Sequence, residues 1–336
     1  MPALSTLIHR VQKGISAIEL VYTSHPHWPL PPPTHVQKRS SGAKSLLRVS
    51  VLDSSFNPPT LAHLALANAP PVVPIPVPGS SDEEGESNKY DAKLLLLSVR
   101  NADKTLAPGD ATYAQRLGMM ILLAQDIAHH QQVRLPDVMI PYAQGTHAAI
   151  QEGDNIAVAI IDEPTFVGKS KVLLKFLGER LVSVLSPPST GAPVPADFSP
   201  PTTKSTPHLQ LVFVVGMDTL ERLFAPRYYA SPEDMRLSLR RLLSPEGDDA
   251  WVVCARRLMH ASLLTDAQLE RERSFMETIE EFVQSRRVTL INIGEEERTI
   301  SSTHIRESRH RGDLAWRSCV TSSIADYIEQ HRLYRS

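Results

Sequence analysis

The stretch Val51-Leu-Asp-Ser-Ser-Phe-Asn-Pro-Pro-Thr-Leu-Ala-His63 decides how this chain is read. The apolar run Leu46 to Leu52 reads as a buried strand. It breaks into small polar residues and two prolines, then gives way to the helical run Leu61 to Ala69. A turn of this kind supplies free backbone N–H groups, and the helix start adds a partial positive charge, so an anion is favoured there. Thr60 and His63 stand three residues apart on the first helical turn, on neighbouring positions of one face.

Outward from this stretch, elements alternate in type. Tyr90 to Val99 holds the run Leu94-Leu-Leu-Leu97, a buried strand, and Ile156 to Ile161, Leu209 to Val215, Trp251 to Ala255 and Val288 to Ile293 are further strands. Helical spacing runs through Tyr113 to Ala128, Lys171 to Leu185, Met217 to Phe224, Asp266 to Gln284 and Asp313 to His331. Strands alternating with helices imply βαβ units and a parallel sheet covered on both faces. The expected fold is α/β, a Rossmann-like doubly wound parallel sheet. Its domain is expected to span residues 46–336, after an N-terminal extension, 1–45, that is partly disordered. Three tracts rich in proline and serine, Pro26 to Lys44, Pro70 to Asn88 and Ser186 to Pro207, read as loops or disorder. The last two make flexible insertions at about 70–89 and 186–207.

Composition narrows the function classes. With 336 residues and a formal net charge of −2, nothing points to a polyanion, so nucleic acid is not an expected partner. Cys254 and Cys319 lack metal-ligand spacing and read as free thiols of a reducing compartment. No metal site is expected from the protein's own residues. No run approaches the roughly 18 apolar residues of a membrane span. Met1 to Leu20 is mildly amphipathic and lacks a secretory h-region. A soluble cytoplasmic protein is expected, with the nucleus as a further compartment; the oligomeric state is open.

In open parallel sheets, ligands bind beyond the carboxyl ends of the strands, at the topological switch point. Three strand ends here carry phosphate-compatible residues. They are Ser54 to His63, then Gly216-Met-Asp218 after Leu211 to Val215, and Ile300-Ser-Ser-Thr-His-Ile-Arg306 after Val288 to Ile293. The third starts a helix with hydroxyls able to cap N–H groups or bind phosphate oxygens.

At these residues the chain resembles the nicotinamide mononucleotide adenylyltransferases of the HxGH-type nucleotidyltransferase superfamily, and most of all a divergent fungal cytosolic branch. The opening signature of that superfamily, Gly-Ser/Thr-Phe-Asn/Asp-Pro and His/Thr-x-x-His, reads here as Ser54-Ser-Phe-Asn-Pro58 and Thr60-Leu-Ala-His63. The closing signature, Ile-Ser-Ser-Thr-x-Ile-Arg, is met in full by Ile300 to Arg306. Lys104 and Arg116 resemble the family's middle Lys and Arg, Gly216-Met-Asp218 its strand-end Gly-x-Asp, and Ala325 to Tyr334 its last helix. Two departures stand out. Ser54 replaces a glycine, and a side chain there changes how a triphosphate sits. The usual Trp-Glu is absent from Ile161-Asp-Glu-Pro-Thr-Phe166, and a second stacking tryptophan is replaced by Tyr228 or Tyr229.

The resemblance implies transfer of AMP from ATP to nicotinamide mononucleotide, with Mg²⁺ travelling on the ATP phosphates. It implies catalytic roles for His63, Arg306 and Lys104. Ser54, Ser55, Phe56, Thr60, His63, Ser302, Thr303 and Arg306 would bind ATP, and Gly216, Asp218, Phe166, Tyr229 and Arg116 the mononucleotide. The alternatives are a nucleotidyltransferase with another phosphorylated acceptor, and an ATP-binding or ATP-hydrolysing regulatory protein.

Overall fold

In the computed structural model the described residues are 3–32, 46–71, 89–100, 109–130, 155–186, 206–256 and 265–335. They form one seven-stranded sheet. The strands are β1 (Ile18–Thr23), β2 (Leu46–Asp53), β3 (Ala92–Ser98), β4 (Ile156–Ile161), β5 (His208–Gly216), β6 (Trp251–Ala255) and β7 (Val288–Ile291). Their order is β1-β4-β3-β2-β5-β6-β7. Every neighbouring pair is parallel except β1 with β4. Taken without β1, the six parallel strands follow the 3-2-1-4-5-6 order of the doubly wound fold.

Central strands are buried on both faces because helices cover both. In β4, Ile156, Val158 and Ile160 point into one core while Ala157, Ala159 and Ile161 point into the other. The first core is closed by α1 (Leu4–Gln12), α2 (Leu61–Ala67), α3 (Tyr113–His130), α8 (Ser302–His310) and α9 (Ser322–Gln330). The second is closed by α4 (Phe166–Leu185), α5 (Met217–Leu223), α6 (Pro232–Leu243) and α7 (Asp266–Gln284).

The expected strands and most helices stand where the apolar runs place them; the differences have local causes. α4 starts at Phe166 rather than Lys171, because Thr165 caps it by accepting the Gly168 N–H (3.1 Å). α6 was not expected; Ser231 caps it by accepting the Asp234 N–H, with Pro232 in the first turn. The single helix expected over Asp313 to His331 is instead a 3-10 turn, Ala315–Cys319, followed by α9. Extended Val320 and Thr321 separate the two pieces.

The sheet also begins earlier than residue 46. Within the expected extension, α1 packs Leu7, Ile8 and Val11 into the first core, and β1 pairs with β4. Trp28, placed by sequence in a proline-rich loop, is fully buried and donates its indole N–H to the Lys93 carbonyl (3.3 Å). Residues 33–44, 72–88 and 187–205 of the three proline- and serine-rich tracts lie outside the described residues.

Candidate active site

β2 and β5 are neighbours, yet the chain leaves their carboxyl ends in opposite directions, through α2 toward β3 and through α5 toward β6. That divergence is the switch point, and it opens a cleft of about 750 Å³. Of the residues expected to form the site, Ser54, Ser55, Thr60, His63, Arg116, Phe166, Gly216, Asp218, Tyr229, Ser302, Thr303 and Arg306 all line it. Lys104 lies outside the described residues.

The β2 wall is a loop, residues 54–60, whose backbone is held by side chains. Phe56 sits at φ 45°, a left-handed conformation that its fully buried ring keeps in place. Phe56 was expected to line the nucleotide turn. Its ring instead lies behind the wall, 5.1 Å from the His63 ring centroid, and supports the imidazole from the core. Three loop carbonyls accept from distant residues. Arg116 reaches Ser55 O (3.4 Å), Arg306 reaches Asn57 O (2.7 Å), and the Ser302 hydroxyl donates to Pro58 O (2.8 Å). The start of α8 is thereby bound to the loop across more than two hundred residues of sequence.

The tautomer of His63 follows from its partners. The Thr60 backbone N–H can only donate, and it points at Nδ1 (3.1 Å), so Nδ1 is an acceptor. In a neutral ring the proton is then on Nε2, which lies 2.9 Å from the Ser54 hydroxyl. Burial lowers the His63 pKa to about 4, so the ring is neutral at pH 7 and presents Nε2–H as a donor. Ser54, the residue that departs from glycine, accepts that donor in the free protein.

The arginines of this wall are partly braces. Arg116, 7% exposed, donates to Ala111 O (2.8 Å) and pairs with Asp110 (3.4 Å), and burial lowers its pKa. Arg306 is more open and also faces Asp110 (3.7 Å). The cap of α8 is Ser301, which accepts the His304 N–H (3.1 Å). That leaves Ser302 and Thr303 beside the cleft rather than beneath the helix.

The β5 wall is built from rings and open space. Phe166, at the start of α4, packs edge-to-face on Phe213 with centroids 5.3 Å apart. Tyr229 is half-buried and donates its hydroxyl to Leu223 O (2.7 Å), and burial pushes its pKa up to about 12. Gly216 caps α5 with ordinary extended backbone, and a Cβ placed there would meet nothing within 4 Å. This glycine is therefore not demanded by the protein's own packing; it leaves room.

Sequence reasoning missed several cleft residues. Asp53 ends β2 in an ion pair with Lys169 of α4, and both are nearly buried. Arg100 pairs with Asp162. Asp110 joins Asn57, Arg116 and Arg306. A lysine buried within a helix carries no sequence signal, whereas Asn57 stood inside the quoted motif. Among the described residues the cleft wall carries seven cationic side chains, Arg100, Arg116, Lys169, Arg222, Arg256, Arg298 and Arg306. Four carboxylates stand against them, Asp53, Asp110, Asp218 and Glu297.

A cleft rich in cations at the switch point, with a neutral imidazole donor and, among the described residues, no carboxylate pair poised over open space, suits anionic substrates whose phosphates already carry the nucleophile. Nucleotidyl transfer is chemistry of that kind. No family model matches the chain. A Schizosaccharomyces pombe (strain 972 / ATCC 24843) protein named "Putative nicotinamide mononucleotide adenylyltransferase" is 26% identical over 294 residues, covering 85% of this chain and 86% of that protein. Two structures of Plasmodium falciparum nicotinic acid mononucleotide adenylyltransferase, complexed with NaAD and with APC, share 14% identity with it. Each covers 86% of this chain and 97% of its own, with a TM-score of 0.41. The similarity to the S. pombe protein runs along most of both chains.

Proposed function

We propose that the protein transfers the adenylyl group of ATP to nicotinamide mononucleotide, giving NAD and pyrophosphate. One observation carries this reading. The two signatures that the sequence matches, residues 54–63 and 300–306, meet through the Ser302–Pro58 and Arg306–Asn57 hydrogen bonds at the mouth of one cleft. The S. pombe relative supports the choice of acceptor.

In such a transfer an oxygen of the mononucleotide 5′-phosphate attacks the α-phosphorus of ATP, and the bond to the bridging oxygen of pyrophosphate breaks. The attacking oxygen is already anionic, so no base is required, and rate comes from alignment and charge neutralisation. His63 Nε2–H is a neutral donor beside the loop, 2.9 Å from the Ser54 hydroxyl. A phosphoryl oxygen entering the cleft would take this hydrogen bond over from the Ser54 hydroxyl. Arg306, Ser302 and Thr303 face the departing phosphates. Phe166 and Tyr229 flank the pyridine ring, Gly216 gives it space, and Asp218 stands at the base or ribose edge. Mg²⁺ enters as part of the MgATP substrate. Among the described residues no group of three or more His, Cys, Asp or Glu is placed to hold a metal, and Asp53 and Asp110 are engaged by cations.

The test is direct. Purified protein with ATP, Mg²⁺ and nicotinamide mononucleotide should form NAD and release pyrophosphate in equal amounts. Release of inorganic phosphate without NAD would overturn the reading in favour of ATP hydrolysis. Pyrophosphate released only with another phosphorylated acceptor would overturn the choice of acceptor.

A further inference from the structure

We infer that Tyr334 is a positioning residue for the phosphate-binding loop and acts on it through the side-chain amide of Asn57. The role assigned to the loop rests on the adenylyl-transfer reading; the hydrogen-bonded chain does not.

Tyr334 lies 277 residues from Asn57 in sequence, and its hydroxyl is 2.8 Å from Asn57 Oδ1. The orientation of that amide is fixed by its other contacts. The Ala111 backbone N–H points at the same oxygen (3.2 Å), and the amide nitrogen donates to Asp110 Oδ1 (2.7 Å). Oδ1 is therefore an acceptor of two bonds, and the Tyr334 hydroxyl is a donor. Burial raises the Tyr334 pKa, which keeps the hydroxyl protonated across the working range. Asn57 itself is 4% exposed.

Asn57 joins two of the groups that shape the loop, Arg306 and Asp110. Its carbonyl accepts from Arg306, and Asp110, which its amide orients, faces both Arg116 and Arg306. A rotation of this one amide would displace the Asp110 carboxylate and, with it, both guanidinium groups. Tyr334 is the contact that reaches the amide from outside the loop and the Asp110–Ala111 segment.

The segment carrying Tyr334 is itself held firmly. After α9, Arg332 and Tyr334 adopt left-handed backbone at φ 52° and 57°. These conformations are strained for non-glycine residues and persist only where their surroundings fix them. The Leu333 N–H closes on Ile328 O (3.0 Å), and Leu333 and Tyr334 are buried in the same core as Phe56. The tail thus delivers a hydroxyl to a defined point rather than merely filling space.

Tyr334→Phe tests this, since it keeps the ring and removes only the donor. In the free protein, amide exchange in peptides spanning 52–57 and 109–113 should speed up at least fivefold, with the central strands unchanged. The thermal midpoint should stay within about 4 °C. In turnover, kcat should fall about tenfold while KM for the mononucleotide stays within twofold, as expected for misaligned reacting groups. Wild-type exchange and wild-type kcat in Tyr334→Phe would overturn the inference, leaving the ring as packing alone. A second readout needs no variant: ATP added to the wild type should slow amide exchange over 331–335, and unchanged exchange there in a protein that binds ATP would also overturn it. If the wild type forms no NAD yet Tyr334→Phe loosens the loop, adenylyl transfer fails and the positioning role stands.

Discussion

On the β2 side of the cleft, polar side chains hold the backbone; on the β5 side, aromatic rings rest on the core. Ser55, Asn57 and Pro58 each give a carbonyl to an arginine or serine from elsewhere in the chain. Phe166 and Tyr229 are fixed mainly by packing and by one hydroxyl contact to Leu223. The first arrangement depends on residue identity, because only particular donors match particular carbonyls. The second needs a flat apolar surface at the right depth, which Phe, Tyr and Trp all provide. That difference accords with a chain that matches Ile300 to Arg306 in full and departs at the Trp-Glu and second tryptophan positions, although Ser54 is a departure on the polar side.

The largest effect should come from the polar wall. His63→Ala removes the Nε2–H donor and should lower kcat for NAD formation by ~10²–10³ without loss of fold. Near-wild-type turnover would break the comparison outright. The same variant carries a pH signature. The folded pKa of about 4 lies below the ordinary value of 6.5, so between them the unfolded chain binds a proton that the native state refuses. Wild-type stability should be complete above about pH 6.5 and decline as pH falls toward 4. His63→Ala should lose that part of the slope in a series of thermal melts.

A smaller, one-sided effect is expected across the cleft. Tyr229→Leu should raise KM for the mononucleotide about tenfold, in line with ~1–3 kcal/mol per base–aromatic stack. KM for ATP should move less than twofold; an equal rise for both substrates would erase the distinction between the walls. Least of all should change in Gly216→Ala. With nothing within 4 Å of the added Cβ, the melting temperature should hold within about 2 °C while KM rises a few-fold. A clear loss of stability would mean that the glycine serves the fold and not the ligand.

Most of the sheet was legible because its strands are apolar runs with polar punctuation, as in Ile156 to Ile161, and the run needs no alternation when both faces are covered. β1 was hidden because Ile18 to Thr23 sits at the sheet edge, where a mixed run such as Ile-Glu-Leu-Val-Tyr-Thr is sufficient. The site's strand ends were legible through motif chemistry, and they meet where the switch-point rule places them. Asp110 and Lys169 were not, since their partners Asn57 and Asp53 lie 53 and 116 residues away and no periodicity links them. Phe56 shows the converse: a motif position says that a residue matters without saying whether it faces the ligand or the core.

The excess of guanidinium and ammonium groups around the cleft has a consequence for how substrates arrive. The whole molecule carries a formal charge of −2, so an anion far away meets weak repulsion. Within a Debye length, about 8 Å at physiological salt, it meets seven cations against four carboxylates instead. The pull of these cations is therefore felt at short range, near the mouth. Among the described residues, the cleft is where an arriving polyphosphate meets this group of cations.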